Sequence, residues 1–110
     1  MTELRIVATL QERKAVMAEL SDAFLALAGG LGTLEELAEV LSWAQLELHA
    51  KPVGALDIGG FFGPLVAHLD HAANEGFIAP SHRDLLLVDD DLDRLLARFE
   101  TWQAPGGRWA

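Results

Sequence analysis

The sequence predicts an α/β protein with a parallel sheet, and three observations carry that reading. Short apolar runs recur along the chain without polar alternation, the pattern of strands buried on both faces. Each run is followed by a segment whose apolar residues return with helical spacing. A glycine-rich turn, Gly29-Gly30-Leu31-Gly32, joins the clearest run to the clearest helix.

Taken in order, Leu4 to Thr9 reads as a short strand, and Gln11 to Ser21 as a helix with Val16, Met17 and Leu20 on one face. Arg13 precedes those residues by three, four and seven positions, so it shares their face in the first turn, while Glu12 and Lys14 point elsewhere. Two readings of Arg13 stand side by side: a side chain snorkelling at a helix end, or a guanidinium turned inward toward an anion. Ala23 to Ala28 is the second strand, an uncharged run between Asp22 and Gly29. Thr33 to about His49 is the second helix, with Leu34, Leu37, Ala38, Leu41, Ala44 and Leu48 as its expected core stripe. Trp43 and Leu46 then fall among the glutamates of the opposite face, where they point to a second contact surface such as a subunit interface.

Pro52 to Ile58 is the third strand, broken by Gly59-Gly60, and Phe62 to Glu75 a helix stopped by Gly76. Leu85 to Val88 is a short fourth strand, followed by a last helix over Asp90 to Glu100. Asp89-Asp90-Asp91 reads as a capping cluster before that helix, and His68 with His71 as part of a solvated face. Residues 1–102 form one domain, and 103–110, around Ala104-Pro105-Gly106-Gly107, a loose tail. Four strands are few for an open parallel sheet, so the chain reads as part of a larger fold.

Composition narrows the function. A net charge of −9 with two lysines argues against a nucleic-acid or anionic membrane partner. The absence of cysteine removes thiol nucleophiles and Cys-ligated metals. No run is long enough for a membrane span and the start lacks a signal-peptide core, so a soluble cytoplasmic protein is expected. A small anionic ligand remains allowed, because the turn supplies its own donors. Thr33 reads as an N-cap with Glu36 three residues on, the pattern of a capping box. The amides of the turn, added to the positive end of the helix dipole, predict an anion site over residues 28–36. The alternative is a plain strand-to-helix turn, with no Walker A lysine and no third dinucleotide-fold glycine.

Gln11-Glu12-Arg13-Lys14, Leu20-Ser21-Asp22-Ala23-Phe24, Gly29-Gly30-Leu31-Gly32-Thr33-Leu34-Glu35-Glu36, Trp43-Ala44-Gln45-Leu46 and Lys51-Pro52-Val53-Gly54 occur in one order and spacing. Together they resemble the C-terminal portion of the LONELY GUY family, also labelled "possible lysine decarboxylase", over about Leu4 to Phe99. The resemblance implies a Rossmann-like fold of about four βα units here, lacking the family's N-terminal strands and further glycine loops. It implies hydrolysis of the N-glycosidic bond of a nucleoside 5′-monophosphate, without metal or cofactor, by a homodimer. On that resemblance Arg13 and Glu36 match the catalytic pair. Gly29, Gly30, Gly32 and Thr33 match the nucleotide-holding loop, and Lys14 a further contact. Leu10-Gln11 replaces the family's Met-His, and Ala28 its proline, which restores φ freedom and an N–H to the turn. A non-catalytic nucleotide-binding module and an inert homologue are the alternatives. The decarboxylase label is set aside, because Lys14 and Lys51 are the only lysines and neither is placed for a Schiff base.

Overall fold

A computed structural model describes residues 4–7 and 22–104. Its strands are β1 (Leu4–Val7), β2 (Ala23–Ala26), β3 (Val53–Leu56) and β4 (Leu86–Asp89), paired in parallel in the order β1-β2-β3-β4. The helices are α1 (Leu31–Gln45), α2 (Gly63–Asn74), the single turn α3 (Pro80–Arg83) and α4 (Leu92–Thr101). The α/β class and the parallel sheet are as expected. β2 and β3 are shorter than their apolar runs, whose ends serve the flanking loops, and β4 is shifted by one residue from the expected Leu85–Val88. The expected helix over Gln11–Ser21, with Arg13 and Lys14, and the tail beyond Ala104 lie outside the described residues.

Each crossover steps one strand in the same direction, so right-handed connections put α1 and α2 on one face. The packing agrees. Phe24, Ala26, Val53, Ala55 and Leu86 meet Leu37 and Val40 of α1, together with Phe62. On the other face Ala23 and Leu25 meet Leu95 and Phe99 of α4. Gly54 lets that helix approach β3, since a Cβ there would lie 2.6 Å from the Phe99 ring. A larger residue at 54 would over-pack this face.

The second helix differs from expectation in two ways. It begins at Leu31, not Thr33, because Gly30 takes the N-cap and its carbonyl accepts the Leu34 N–H at 3.1 Å. Thr33 therefore is not a cap, and the capping box with Glu36 does not form. Its buried stripe is Thr33, Glu36, Leu37 and Val40, one position round from the predicted one. Leu34 stays 44% exposed, and Leu48 lies beyond the helix at 68%. Trp43 consequently packs against the core instead of standing on an outer face.

After α1 the chain is tied back by His49. Its Nδ1 accepts the Lys51 N–H at 3.1 Å, so the 2.8 Å contact of Nε2 with the Val40 carbonyl is a donated hydrogen bond from a neutral ring. Burial lowers the pKa of this histidine, and Lys51 adds to the effect. The ring also tilts against Phe24, with centroids 5.1 Å apart. His49 thus links the body of α1, the entry to β3 and the centre of β2. The one-turn α3 had no counterpart in the expected elements; Pro80 at its first turn and the Arg83–Asp70 ion pair to α2 account for it.

Candidate functional site

All four strands run the same way, so the loops after β2, β3 and β4 share one edge of the sheet. In open α/β sheets ligands bind beyond the carboxyl ends of the strands. The loop after β2 carries the predicted site. Leu27 to Gly32 are exposed, and a Cβ at Gly30 would meet nothing within 4 Å, so the backbone there is open to approach. Gly29 has the opposite reason to be glycine. A Cβ there would stand 2.3 Å from Thr33 Oγ1, so the Thr33 side chain occupies that space. The φ freedom expected of this loop is not used: Gly30 has φ −102°, and the described glycines with positive φ are Gly59, Gly60 and Gly76.

The first ladder bond of α1 starts at Leu34, so the amides of Leu31, Gly32 and Thr33 project from the helix end. No acidic side chain lies in that first turn to offset the positive end of the dipole. One turn further in stands Glu36, 1% exposed, on the stripe that faces the sheet. An acid in that place is costly to bury and is out of keeping with a capping or solvated role. Gly29, Gly30, Gly32, Thr33 and Glu36 are therefore brought together in one strand–loop–helix unit. Arg13 and Lys14 lie outside the described residues.

A second corner of the same edge was not anticipated. Asp57 Oδ1 accepts the Phe62 N–H at 2.8 Å and closes a loop whose Gly59 and Gly60 take φ +67° and +75°. Beside it lies a cleft of about 510 Å³ lined by Asp57, Gly59, Gly60, Asp89, Asp90 and Arg94. Asp91 caps α4 by accepting the Arg94 N–H at 3.0 Å, as the capping reading of the triple aspartate requires. Asp89 has another task. Its oxygens accept Arg94 Nε at 3.0 and 2.9 Å, Arg98 Nη1 at 3.3 Å and the Asp91 N–H at 3.0 Å. The Arg94 hydrogen bonds hold its carboxyl well below the usual aspartate range, and Arg98 and the Asp91 amide reinforce them. Arg94 itself is 59% exposed, so water screens part of the attraction. The spacing of Asp89 with Arg94 and Arg98 was the available signal; it required knowing that β4 hands directly into α4. His68 and His71 are exposed, and among the described residues no group of three or more metal-ligating side chains converges. Likewise, no described helix is long and apolar enough to cross a membrane.

The family model described as "Possible lysine decarboxylase" matches residues 1–99, the glycine loop and Glu36 included. The chain belongs to this family. Among its relatives, a protein named probable cytokinin riboside 5'-monophosphate phosphoribohydrolase from Oryza sativa subsp. japonica is 51% identical over 100 residues. That match covers 91% of this chain and 44% of the relative. A cytokinin riboside 5'-monophosphate phosphoribohydrolase of Arabidopsis thaliana is 47% identical over 100 residues, 91% of this chain and 46% of the relative. A second one from Arabidopsis thaliana is 46% identical over the same length and 47% of its own chain. The chain thus spans less than half the length of the curated relatives it matches, in keeping with the partial family domain expected from its motifs.

The pH dependence of the Asp89 cluster has a definite sign. A carboxyl with a lowered folded pKa stabilises fully above its unfolded value, and loses that effect as pH falls toward the folded one. Asp89→Asn is therefore expected to lower the urea midpoint at pH 7. The gap from the unsubstituted chain should persist to about pH 5 and narrow only below the ordinary value of 3.8. Urea curves across that range check it; a gap that closes between pH 7 and pH 5 would contradict the pairing.

Proposed function

We propose that this chain carries the loop-and-carboxylate part of a phosphoribohydrolase site for a nucleoside 5′-monophosphate. The observation that carries the reading is Glu36, buried one turn below an open glycine loop at the carboxyl edge of a parallel sheet. The names of the relatives supply the reaction class. Cleavage of the bond between an adenine-type base and ribose 5-phosphate passes through an oxocarbenium-like sugar. Glu36 would stabilise that cation and take a proton from the attacking water, whose oxygen bonds to the anomeric carbon as the base departs. The amides of Leu31, Gly32 and Thr33 would hold the anionic end of the nucleotide, with Gly30 keeping the approach clear and Gly29 making room for the Thr33 side chain. Arg13 would be the fixed cation of the site and Lys14 a further contact. No cofactor enters the mechanism.

Lysine decarboxylation is the poorer reading. Lys51 precedes the first residue of β3, so it stands at the opposite edge of the sheet from the glycine loop. Its backbone N–H is committed to His49. A second reading, nucleotide binding without turnover, draws on the share of the relatives that this chain spans. We further propose self-association, carried now by Leu46 and Leu48 at the end of α1, 46% and 68% exposed, instead of by Trp43. A cytoplasmic setting fits the proposed nucleotide substrate, and neither nucleic acid nor membrane is proposed as a partner, given the net charge of −9.

Incubation with AMP or an N6-substituted AMP should release free base and ribose 5-phosphate, and Glu36→Gln should lower the rate by at least about a hundredfold while leaving the urea midpoint near its starting value. Saturable nucleotide binding with no base released by either protein would favour the binding module. Turnover undiminished by Glu36→Gln would remove Glu36 from the chemistry. Sedimentation is expected to give a species larger than the monomer at micromolar concentration, reduced to monomer by Leu48→Lys; a clean monomer without the substitution would contradict self-association.

A further inference from the structure

We infer that the connection leaving α1 is an acid-released joint, in which protonation of His49 frees residues 46–51 while the sheet stays folded. Two independent features put it there. The first is a strained helix end. Leu46 caps α1, and Glu47 follows with φ +62°, a left-handed conformation that glycine adopts freely and glutamate rarely does. Two hydrogen bonds hold it in that state. The Glu47 N–H donates to the Ala44 carbonyl at 3.1 Å, and the Leu48 N–H to the Trp43 carbonyl at 2.8 Å. This is the pairing of a Schellman cap, with a side chain at the position where glycine is free of strain.

The second feature is the bridge made by His49, two residues further on. Its Nε2 donates to Val40 in the body of α1, and its Nδ1 accepts the N–H of Lys51, just ahead of β3. That arrangement exists only for the neutral ring. A proton taken from solvent onto Nδ1 sets one N–H against another and places a cation in a half-buried site beside Phe24. The bond to Lys51 is then lost, and with it the hold on a connection that the strain at Glu47 already disfavours.

The surrounding charges do not reverse this. Glu36 and Glu39 precede Val40 on α1, Asp22 precedes β2, and Arg5 is the register partner of Phe24 on β1. Glu47 and Lys51 belong to the connection itself. Of the described groups, Lys51 is the charge that acts on the ring, and it opposes protonation as burial does. The folded pKa therefore lies below the ordinary 6.5. The clasp contributes fully above that value and is lost as pH falls toward the folded one. The joint also carries Leu46 and Leu48, so its opening remodels the exposed apolar surface at the end of α1. It stands at the amino edge of the sheet, and the inference does not depend on the proposed hydrolase activity.

Amide exchange of the full chain, followed by NMR from pH 7.5 to about pH 5 and corrected for intrinsic rates, tests it. Protection of the Lys51 and Leu48 amides should fall at least about threefold, with Leu25 and Ala55 in the sheet remaining at least about tenfold better protected throughout. Glu47→Gly should raise Leu48 protection about fivefold, by relieving the left-handed strain. His49→Phe keeps a ring against Phe24 and should leave both amides weakly protected, with no further loss in acid. The pH series on the unsubstituted chain and the Glu47→Gly comparison decide the matter even where His49→Phe does not fold. Equal protection of all four amides at every pH would show that the connection opens only with the whole fold, and would overturn the joint. An acid-dependent loss retained by His49→Phe would belong to His68, His71 or His82 and would overturn the role of His49.

Discussion

The seat of the Thr33 side chain against Gly29 sets the rotation of α1, and most of the molecule follows from that rotation. A Cβ at Gly29 would collide with Thr33 Oγ1, so only glycine lets the threonine turn in toward the loop. With Thr33 facing inward, helical periodicity carries Glu36, Leu37 and Val40 inward with it. Leu37 and Val40 join the core against Phe24, Ala26 and Val53. Glu36 takes the remaining inward position, one turn below Thr33, where a buried acid adds nothing to the apolar core. The same rotation swings Leu34 and Leu41 off the sheet and onto the flank that faces α2, where they wall an apolar cleft.

The two corners of the carboxyl edge divide their tasks by the way their charges are satisfied. At the β4–α4 corner every oxygen of Asp89 has a donor, so its charge is spent on joining strand to helix. That joint seats α4 over β3 at Gly54 and closes the second face of the sheet. At the β2–α1 corner the donors are backbone amides at an exposed helix end, with open space at Gly30. One corner is a fastening. The other has donors to offer a ligand.

Sequence periodicity located the described strands, the glycine loop and the three longer described helices, α1, α2 and α4, because buried apolar runs and glycine punctuation are local signals. It misplaced the face of α1 for a physical reason. A count of apolar residues treats Glu36 as outward and so centres the stripe on Leu34 and Leu41, whereas the structure buries the acid and leaves Leu34 44% exposed. The same error put Trp43 outside. The helix start was misjudged because Thr33 is the better N-cap by residue preference, and the contact with Gly29 that claims its side chain is not visible in a one-dimensional pattern. The neutral His49 clasp and the Asp89–Arg94–Arg98 cluster are tertiary facts, reached only when separate elements meet. Membership of the family was legible from a resemblance carried by several short motifs in one order, since each motif is contiguous in the chain.

In the proposed site the amino end of α1, with Glu36 beneath it, holds a nucleotide's anionic group. Backbone amide shifts of the ¹⁵N-labelled chain during titration with AMP test it most directly. Saturable shifts are expected to be largest at Leu31, Gly32 and Thr33 and small at Asp89 to Arg94. Shifts confined to the Asp57–Arg94 cleft, or no saturable shift at the start of α1, would contradict it.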